Sequence, residues 1–199
     1  MKFALPKGYL MQEAVKRLQR LGLVFPTDKE RGRKLTFRDS RKNIEFMIIR
    51  PTDVPVYVER GGADAGIVGK DVLEETGASV VELLDLGFGQ CRLILAVPES
   101  SSIRTRSDIP AHARIATKFP QTTLRHFAHQ GLPVELVKLY GSVELAPQMG
   151  LADAIVDLVA TGETLRAHHL RVVEELLVST ARLVVNRVSW KTQFEFMRR

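Results

Sequence analysis

The architecture of the chain is most clearly encoded in one segment: Asp153-Ala154-Ile155-Val156-Asp157-Leu158-Val159-Ala160-Thr161-Gly162-Glu163-Thr164-Leu165. Its first half is an apolar run interrupted by two acids, which favours a buried β-strand. Its second half is a Thr-Gly-x-Thr turn that leads into helix-forming residues. A strand that passes directly into a helix is the repeating unit of α/β proteins, so the segment predicts an α/β fold.

Similar alternation of strand-like and helix-like patterns extends along the rest of the chain. The patterns predict strands at 2–5, 44–49, 65–68, 80–86, 91–97, 114–117, 134–139 and 154–159, and helices at 11–21, 53–61, 70–76, 122–130 and 143–150. Alternation of this kind favours layered sheets whose strands are largely parallel.

A lobe boundary is predicted near Gly87-Phe88-Gly89, where two glycines flank one aromatic residue between two strands. The apolar stretch 176–186 is then expected to return to the first lobe. We therefore predict a first lobe of residues 1–89 plus about 175–199 and a second lobe of residues 90–174. A ligand cleft is expected between the lobes, a common place for small-molecule sites.

The composition is that of an ordinary globular protein. Of 199 residues, 45% are hydrophobic and 26% are charged, which excludes a mainly disordered or collagenous chain. The single cysteine, Cys91, excludes an intrachain disulfide. No signal peptide and no apolar run long enough to span a bilayer is evident, so we expect a cytoplasmic protein with no membrane partner.

Positive charge is concentrated in the first quarter of the chain. Residues 1–50 contain 13 Lys and Arg side chains against 5 Asp and Glu, although the whole chain has a formal net charge of only +6. Such a local excess indicates an anionic partner: a nucleic acid, an anionic membrane surface or a polyphosphate.

The turn at 161–164 is compatible with two interpretations. Backbone N–H groups of a small-residue turn at a helix start converge on one point, which suits a phosphate. The hydroxyls of Thr161 and Thr164 add donors, Gly162 allows close approach, and Asp153 and Asp157 suit ribose hydroxyls or hydrated Mg²⁺. The alternative is an ordinary helix cap with two solvated acids.

Two further clusters of polar residues lie at predicted strand ends. Lys7-Gly8, Arg33 and Arg50 adjoin strands in the basic quarter, where arginine and lysine can bind phosphates, although most such side chains are simply solvated. Ser142 and Glu144 follow another strand, as a helix cap or as part of a ligand-facing turn.

Several ordered motifs resemble those of the ATP phosphoribosyltransferase family, whose enzymes open histidine biosynthesis. They are Leu5–Gly8, Arg50–Pro55, Gly62–Asp71, Leu139–Glu144 and Asp153–Thr164. The similarity extends from residue 2 to about 190. It implies a two-lobed fold of the type II periplasmic-binding-protein kind, and transfer of the phosphoribosyl group of phosphoribosyl pyrophosphate (PRPP) to N1 of ATP, with Mg²⁺ required.

The resemblance also implies roles for particular residues. The PRPP side comprises Asp153, Asp157, Thr161, Gly162, Glu163, Thr164, Ser142 and Glu144, with the Glu163 side chain pointing away from the phosphate. The ATP side comprises Lys7, Gly8, Arg33, Arg50, Lys70 and Asp71, of which Arg33 and Arg50 are expected to be catalytic. Mg²⁺ would be held mainly by the substrate phosphates. Tyr9 stands where the family often has arginine.

The chain length resembles the short form of the family, which lacks a regulatory domain. That form implies a homodimer within a larger complex that contains a histidyl-tRNA-synthetase-like regulatory subunit. A non-catalytic binding domain of the same fold is the main alternative; it predicts binding without turnover. A nucleic-acid binder is opposed by the acidic segment 153–163, and a phosphoribosyltransferase with another acceptor would not need the Arg50 motif.

Overall fold

The computed structural model describes residues 1–26, 32–39 and 42–192. The chain forms two compact units, one of Met1–Gly89 with Thr180–Arg199 and one of Gln90–Ser179. Residues 193–199, which the sequence analysis assigned to the first lobe, lie outside the described residues. The return to the first unit comes at Thr180, a few residues after the expected position near 175.

The elements follow one another in strand–helix order. The strands are β1 (Lys2–Pro6), β2 (Thr36–Asp39), β3 (Ile44–Ile49), β4 (Ala65–Gly69), β5 (Val81–Asp85), β6 (Cys91–Pro98), β7 (Ala113–Thr117), β8 (Val134–Lys138), β9 (Ala154–Val159), β10 (Leu170–Ser179) and β11 (Ala181–Val185). The helices are α1 (Tyr9–Arg20), α2 (Val54–Glu59), α3 (Lys70–Thr76), α4 (Pro120–His129), α5 (Glu163–Ala167) and α6 (Arg187–Thr192), with short 3₁₀ turns at Pro51–Asp53, Arg106–Asp108 and Val143–Leu145.

Each unit contains one mixed sheet. The first has the order β2-β3-β1-β4-β11-β5, and the second the order β10-β6-β9-β7-β8. Only part of each sheet is parallel: β1 with β3 and β4 at the centre of the first sheet, and β7 with β8 and β9 at one end of the second. The prediction of largely parallel sheets was therefore wrong. Strand β2 runs antiparallel to β3. In the first sheet β11 runs antiparallel to β4 and β5, and in the second sheet β6 runs antiparallel to β10 and β9.

Both faces of each sheet are covered, which explains why the central strands are apolar at successive positions. In β1, Phe3 and Leu5 belong to one apolar cluster with α1, whereas Ala4 belongs to the cluster with α2. In the second unit, Leu95 and Ile94 face opposite clusters in the same way. These cores hold the strand ends in place, and polar residues follow the strands there.

The predicted helix at 143–150 was wrong beyond its first turn. The chain forms a 3₁₀ turn at Val143–Leu145 and then continues in turns. Pro147 explains this result, because proline has no N–H to donate and disfavours helical backbone before it. In the described part of the chain, no helix is both long and apolar enough to cross a membrane.

Candidate active site

A pocket of ≈ 320 Å³ lies in the second unit where β7 and β9 end. The two strands are parallel neighbours, with Thr117 opposite Val156, so their carboxyl ends meet at one edge of the sheet. Residues from both strand ends and from the loop that follows β9 line the pocket: Lys118, Ser142, Glu144, Ile155, Asp157, Leu158, Val159, Ala160, Thr161, Gly162, Thr164 and Leu165. Its volume is typical of small-molecule sites, which run from about 300 to 1,000 Å³.

The loop between β9 and α5 turns sharply at Gly162. The backbone of Gly162 has φ 79°, a left-handed conformation that other residues adopt only with strain. Thr161 precedes this turn and Thr164 follows it, and both line the pocket. Glu163 is exposed and is not among the residues lining the pocket. Because α5 spans only Glu163–Ala167, its dipole is short, and the hydroxyls of Thr161 and Thr164 are further donors in the residues that line the pocket.

Asp157 is the carboxylate at the pocket end of β9. The backbone N–H of Leu158 donates to its Oδ1 atom at 2.9 Å, and the Nζ atom of Lys118 lies 3.8 Å from its Oδ2 atom. Burial raises the pKa of Asp157, although the Leu158 N–H and the charge of Lys118 oppose that rise. The carboxylate of Glu144 also lines the pocket and acts to raise the same pKa.

Asp153 lies at the other end of β9 and has its own partner. Asp153 and Asp157 share a face of the strand, but four residues of strand separate them by about 13 Å. The Arg114 side chain donates to Asp153 at 2.8 and 3.3 Å, and the Arg114 backbone N–H donates at 2.9 Å. These hydrogen bonds hold the pKa of Asp153 below its usual range. The structure therefore does not bring the two acids together.

Ser142 and Glu144 do line the pocket with Asp157. Ser142 has φ 49°, so the chain turns sharply between β8 and the 3₁₀ turn. Its side chain makes no capping hydrogen bond to that turn, which argues against the interpretation as a simple helix cap.

Basic residues follow three neighbouring parallel strands of the first unit. Lys7 follows β1, Arg50 follows β3, and Lys70 follows β4. The backbone N–H of Lys7 donates to the carbonyl of Ile49 at 2.7 Å, which holds the first two strand ends side by side. Gly8, at φ 105°, lets the chain turn there into α1. We call Lys7, Gly8, Arg50 and Lys70, together with Arg33, the basic edge.

Arg33 reaches the same end of the sheet through the hairpin strand β2. Because β2 is antiparallel to β3, its first residues lie beside the last residues of β3. The N–H of Ile48 donates to the carbonyl of Leu35 at 2.8 Å, which fixes this register just after Arg33. Lys7, Arg33 and Arg50 are exposed, and none has a carboxylate partner among the described residues.

Lys70 and Asp71 are differently placed, at the start of α3. The Nζ atom of Lys70 bonds Glu82 at 2.7 Å and Glu74 at 3.0 Å. Partial burial acts to lower the pKa of Lys70, but these two hydrogen bonds outweigh it, so the pKa is raised. Asp71 is 4% exposed and has partners within the protein. The structure thus places Lys7, Arg33 and Arg50 at one edge of the sheet as exposed cations, whereas Lys70 is bound to two glutamates.

Sequence analysis missed the one basic residue that lines the pocket in the described part of the chain, Lys118. A signal was present, since Lys118 directly follows the predicted strand 114–117. Lysine is common in surface loops, and only the pairing of β7 with β9 reveals that this lysine faces Asp157.

A family model described as HisG: ATP phosphoribosyltransferase matches residues 50–199. The chain belongs to the ATP phosphoribosyltransferase family. A curated ATP phosphoribosyltransferase from Moorella thermoacetica is 49% identical over 195 residues, which cover 96% of this chain and 86% of that relative. The family prediction is confirmed, and with it the transferase class.

Comparison with solved structures supports the same family and fold. A chain of the ATP phosphoribosyl transferase (HisG:HisZ) complex from Thermotoga maritima matches with a TM-score of 0.84 and 36% identity, covering 98% of this chain and 92% of that chain. The periplasmic aliphatic sulphonate binding protein SsuA from Escherichia coli matches with a TM-score of 0.64, covering all of this chain and 68% of that one. At 16% identity the second likeness shows the fold alone. The predicted fold class is confirmed.

Proposed function

We propose that this chain transfers the phosphoribosyl group of PRPP to N1 of ATP, the first step of histidine biosynthesis. The observation that carries the proposal is family membership at 49% identity over 96% of the chain, joined to a pocket suited to a sugar phosphate. In the reaction, the N1 lone pair forms a bond to the anomeric carbon. The bond from that carbon to pyrophosphate breaks, and its electron pair leaves with the pyrophosphate.

The second-unit pocket suits the ribose 5′-phosphate end of PRPP. Loop N–H groups and the hydroxyls of Thr161 and Thr164 are donors for the phosphate, and Gly162 has no Cβ to obstruct it. Asp157, Ser142 and Glu144 are then available to the ribose hydroxyls. We assign Asp153 a structural role instead, because Arg114 already occupies its carboxylate.

The basic edge suits the polyphosphates of ATP and the departing pyrophosphate. Negative charge grows on pyrophosphate as the anomeric carbon becomes cationic, and fixed cations stabilise that charge. Arg50 and Arg33 are the catalytic candidates, since a guanidinium donates two parallel hydrogen bonds to a phosphate. Lys7 adds a point charge, and Gly8 lets the backbone approach. We assign Lys70 and Asp71 to the support of this edge, because both are engaged within the protein.

Mg²⁺ fits this chemistry as a partner of the substrate. Among the described residues, no group of three or more His, Cys, Asp or Glu side chains is placed to hold a metal ion. Mg²⁺ is usually bound by one or two carboxylates together with substrate phosphates, and Asp157 and Glu144 offer two carboxylates in the pocket. When bound, the ion neutralises charge on the leaving pyrophosphate.

A histidyl-tRNA-synthetase-like regulatory subunit is the proposed protein partner. The Thermotoga maritima relative was solved as a HisG:HisZ complex, and this chain covers 92% of the matched chain in it. A homodimer within such a complex and a cytoplasmic location remain predictions.

The deciding experiment is a turnover assay with ATP, PRPP and Mg²⁺, followed by the ultraviolet absorbance of N1-ribosylated ATP. It is run with and without the candidate regulatory subunit. Product formation that increases with the subunit supports the proposal. A folded chain that binds nucleotide yet forms no product under either condition would support a binding domain instead.

A further inference from the structure

The second-unit pocket carries more negative than positive charge. Asp157 and Glu144 line it as carboxylates, and Lys118 is the single cation among the described residues that line it. The one-turn helix α5 adds little dipole to offset this imbalance. A phosphate entering the pocket therefore meets two carboxylates, and Lys118 is the lining side chain whose positive charge can offset them.

Lys118 is held at the right place by backbone pairing. It follows the last residue of β7, directly beside Asp157 of β9, because Thr117 pairs with Val156. Both residues point to the carboxyl edge of the sheet, where the loop 160–164 also lies. The ends of β7 and β9 are paired, so they fix the backbone position from which the Lys118 side chain extends. They do not fix the position of its ammonium group.

The ammonium group of Lys118 is only loosely held. Its Nζ atom lies 3.8 Å from Asp157 Oδ2, beyond the 2.7–2.9 Å typical of a charge-assisted hydrogen bond. In contrast, Lys70 bonds two glutamates at 2.7 and 3.0 Å. An ammonium has three donors, and at Lys118 they remain available to an incoming oxyanion.

We propose that Lys118 binds the 5′-phosphate of PRPP by exchanging its partner Asp157 for the phosphate, an assignment that rests on the proposed function of the pocket. The exchange leaves Asp157 to accept a hydrogen bond from a ribose hydroxyl. The negatively charged phosphate thereby takes the place of the Asp157 carboxylate as the partner of Lys118. A sugar without the phosphate has no anionic group that could replace Asp157 as the partner of Lys118.

The test is calorimetric titration of the purified full chain with ribose 5-phosphate, PRPP and pyrophosphate. Lys118→Gln is expected to weaken binding of the two ribose phosphates about ten- to hundredfold, in line with a hydrogen bond to a charged group. Pyrophosphate binding should not change, and Lys118→Arg should retain most of the affinity. Lys138→Gln is the matched control: Lys138 ends β8 in the same sheet and lies over Tyr140, outside the pocket.

A second measurement separates phosphate binding from an effect exerted only through Asp157. Adding Lys118→Gln to Asp157→Asn should reduce ribose 5-phosphate affinity by at least the factor seen in the wild type, because Lys118 then has no Asp157 carboxylate to give up when it binds the phosphate. No additional loss, or a loss confined to pyrophosphate, would overturn the assignment. Wild-type chain that binds ribose phosphates while Lys118→Gln binds them equally well overturns it too. Wild-type chain that binds none of them overturns the function proposed for the pocket.

Discussion

The pocket of the second unit and the basic edge of the first are built on opposite principles. In the pocket, a left-handed glycine and two threonines form part of the lining, and the charged side chains there are of opposite sign. At the basic edge, three exposed cations follow or adjoin strand ends, with no carboxylate partner among the described residues. The first arrangement recognises shape, and the second supplies charge.

This difference predicts which substitutions damage each region. In the pocket, the backbone turn at Gly162 should matter as well as the charge of Lys118, because Gly162 lines the pocket in a left-handed conformation. Side-chain charge should dominate at the basic edge, because the proposed transition state gains negative charge on pyrophosphate.

The largest effect is expected for Arg50→Ala. Removal of a cation aimed at the developing pyrophosphate charge should lower kcat by about 10²–10³-fold, as for loss of a preorganised donor, with little change in KM. Steady-state kinetics of N1-ribosylated ATP formation measures both. The control is Arg60→Ala, an exposed arginine just after α2 in the same unit. A change confined to KM would contradict the leaving-group role.

Gly162→Ala should damage the pocket through its backbone. A left-handed conformation costs a non-glycine residue about 1–2 kcal/mol, and the added Cβ sits at the turn proposed to receive phosphate. We expect the KM for PRPP to rise about tenfold, a factor worth about 1.4 kcal/mol, while the KM for ATP stays unchanged. Gly131→Ala, at φ 68° with open space around it, carries the same strain away from the pocket. Equal kinetic effects in both variants would remove the special role of Gly162.

Lys7 and Lys70 of the basic edge should respond differently to substitution, with smaller effects than those above. Lys7 is exposed and available to a phosphate, whereas Lys70 is bound to two glutamates. Lys7→Gln is expected to raise the KM for ATP severalfold, because its ammonium is exposed and available. Lys70→Gln should leave that KM nearly unchanged and lower the melting temperature instead, since Lys70 bonds Glu82 and Glu74. Kinetics and thermal unfolding of both variants test this. A larger KM effect from Lys70→Gln would reverse the assignment.

The smallest effect is expected for Asp153→Asn, which leaves the pocket untouched. The variant should lose the ion pair with Arg114 and a little thermal stability, with no change in the KM for PRPP. Because Arg114 lowers the pKa of Asp153, the wild-type advantage is present above the usual value of 3.8 and disappears as pH falls through the lowered value. Melting temperatures measured across acid pH check this. A large rise in the KM for PRPP would restore a ribose role to Asp153.

Local features were accessible from the sequence alone. The apolar run at 154–159, the turn at Gly162 and the basic excess of the first quarter are properties of neighbouring residues. So are the motifs that carry the family resemblance. Local backbone preference and side-chain chemistry suffice to predict such features, and most central strands were placed within a residue or two of their observed bounds.

Partners distant in the sequence were decided by the tertiary structure. Asp153 and Asp157 look equivalent in the sequence, but pairing with β7 places one beside Arg114 and the other beside Lys118. Lys7 and Lys70 both follow strands, yet only Lys70 meets glutamates from α3 and β5. The sequence by itself determined which chemical groups the chain carries and the local turns that present them. Only the fold decided which charges are neutralised, because a charge is neutralised by whatever group lies within a few ångströms of it, and strand pairing sets that distance.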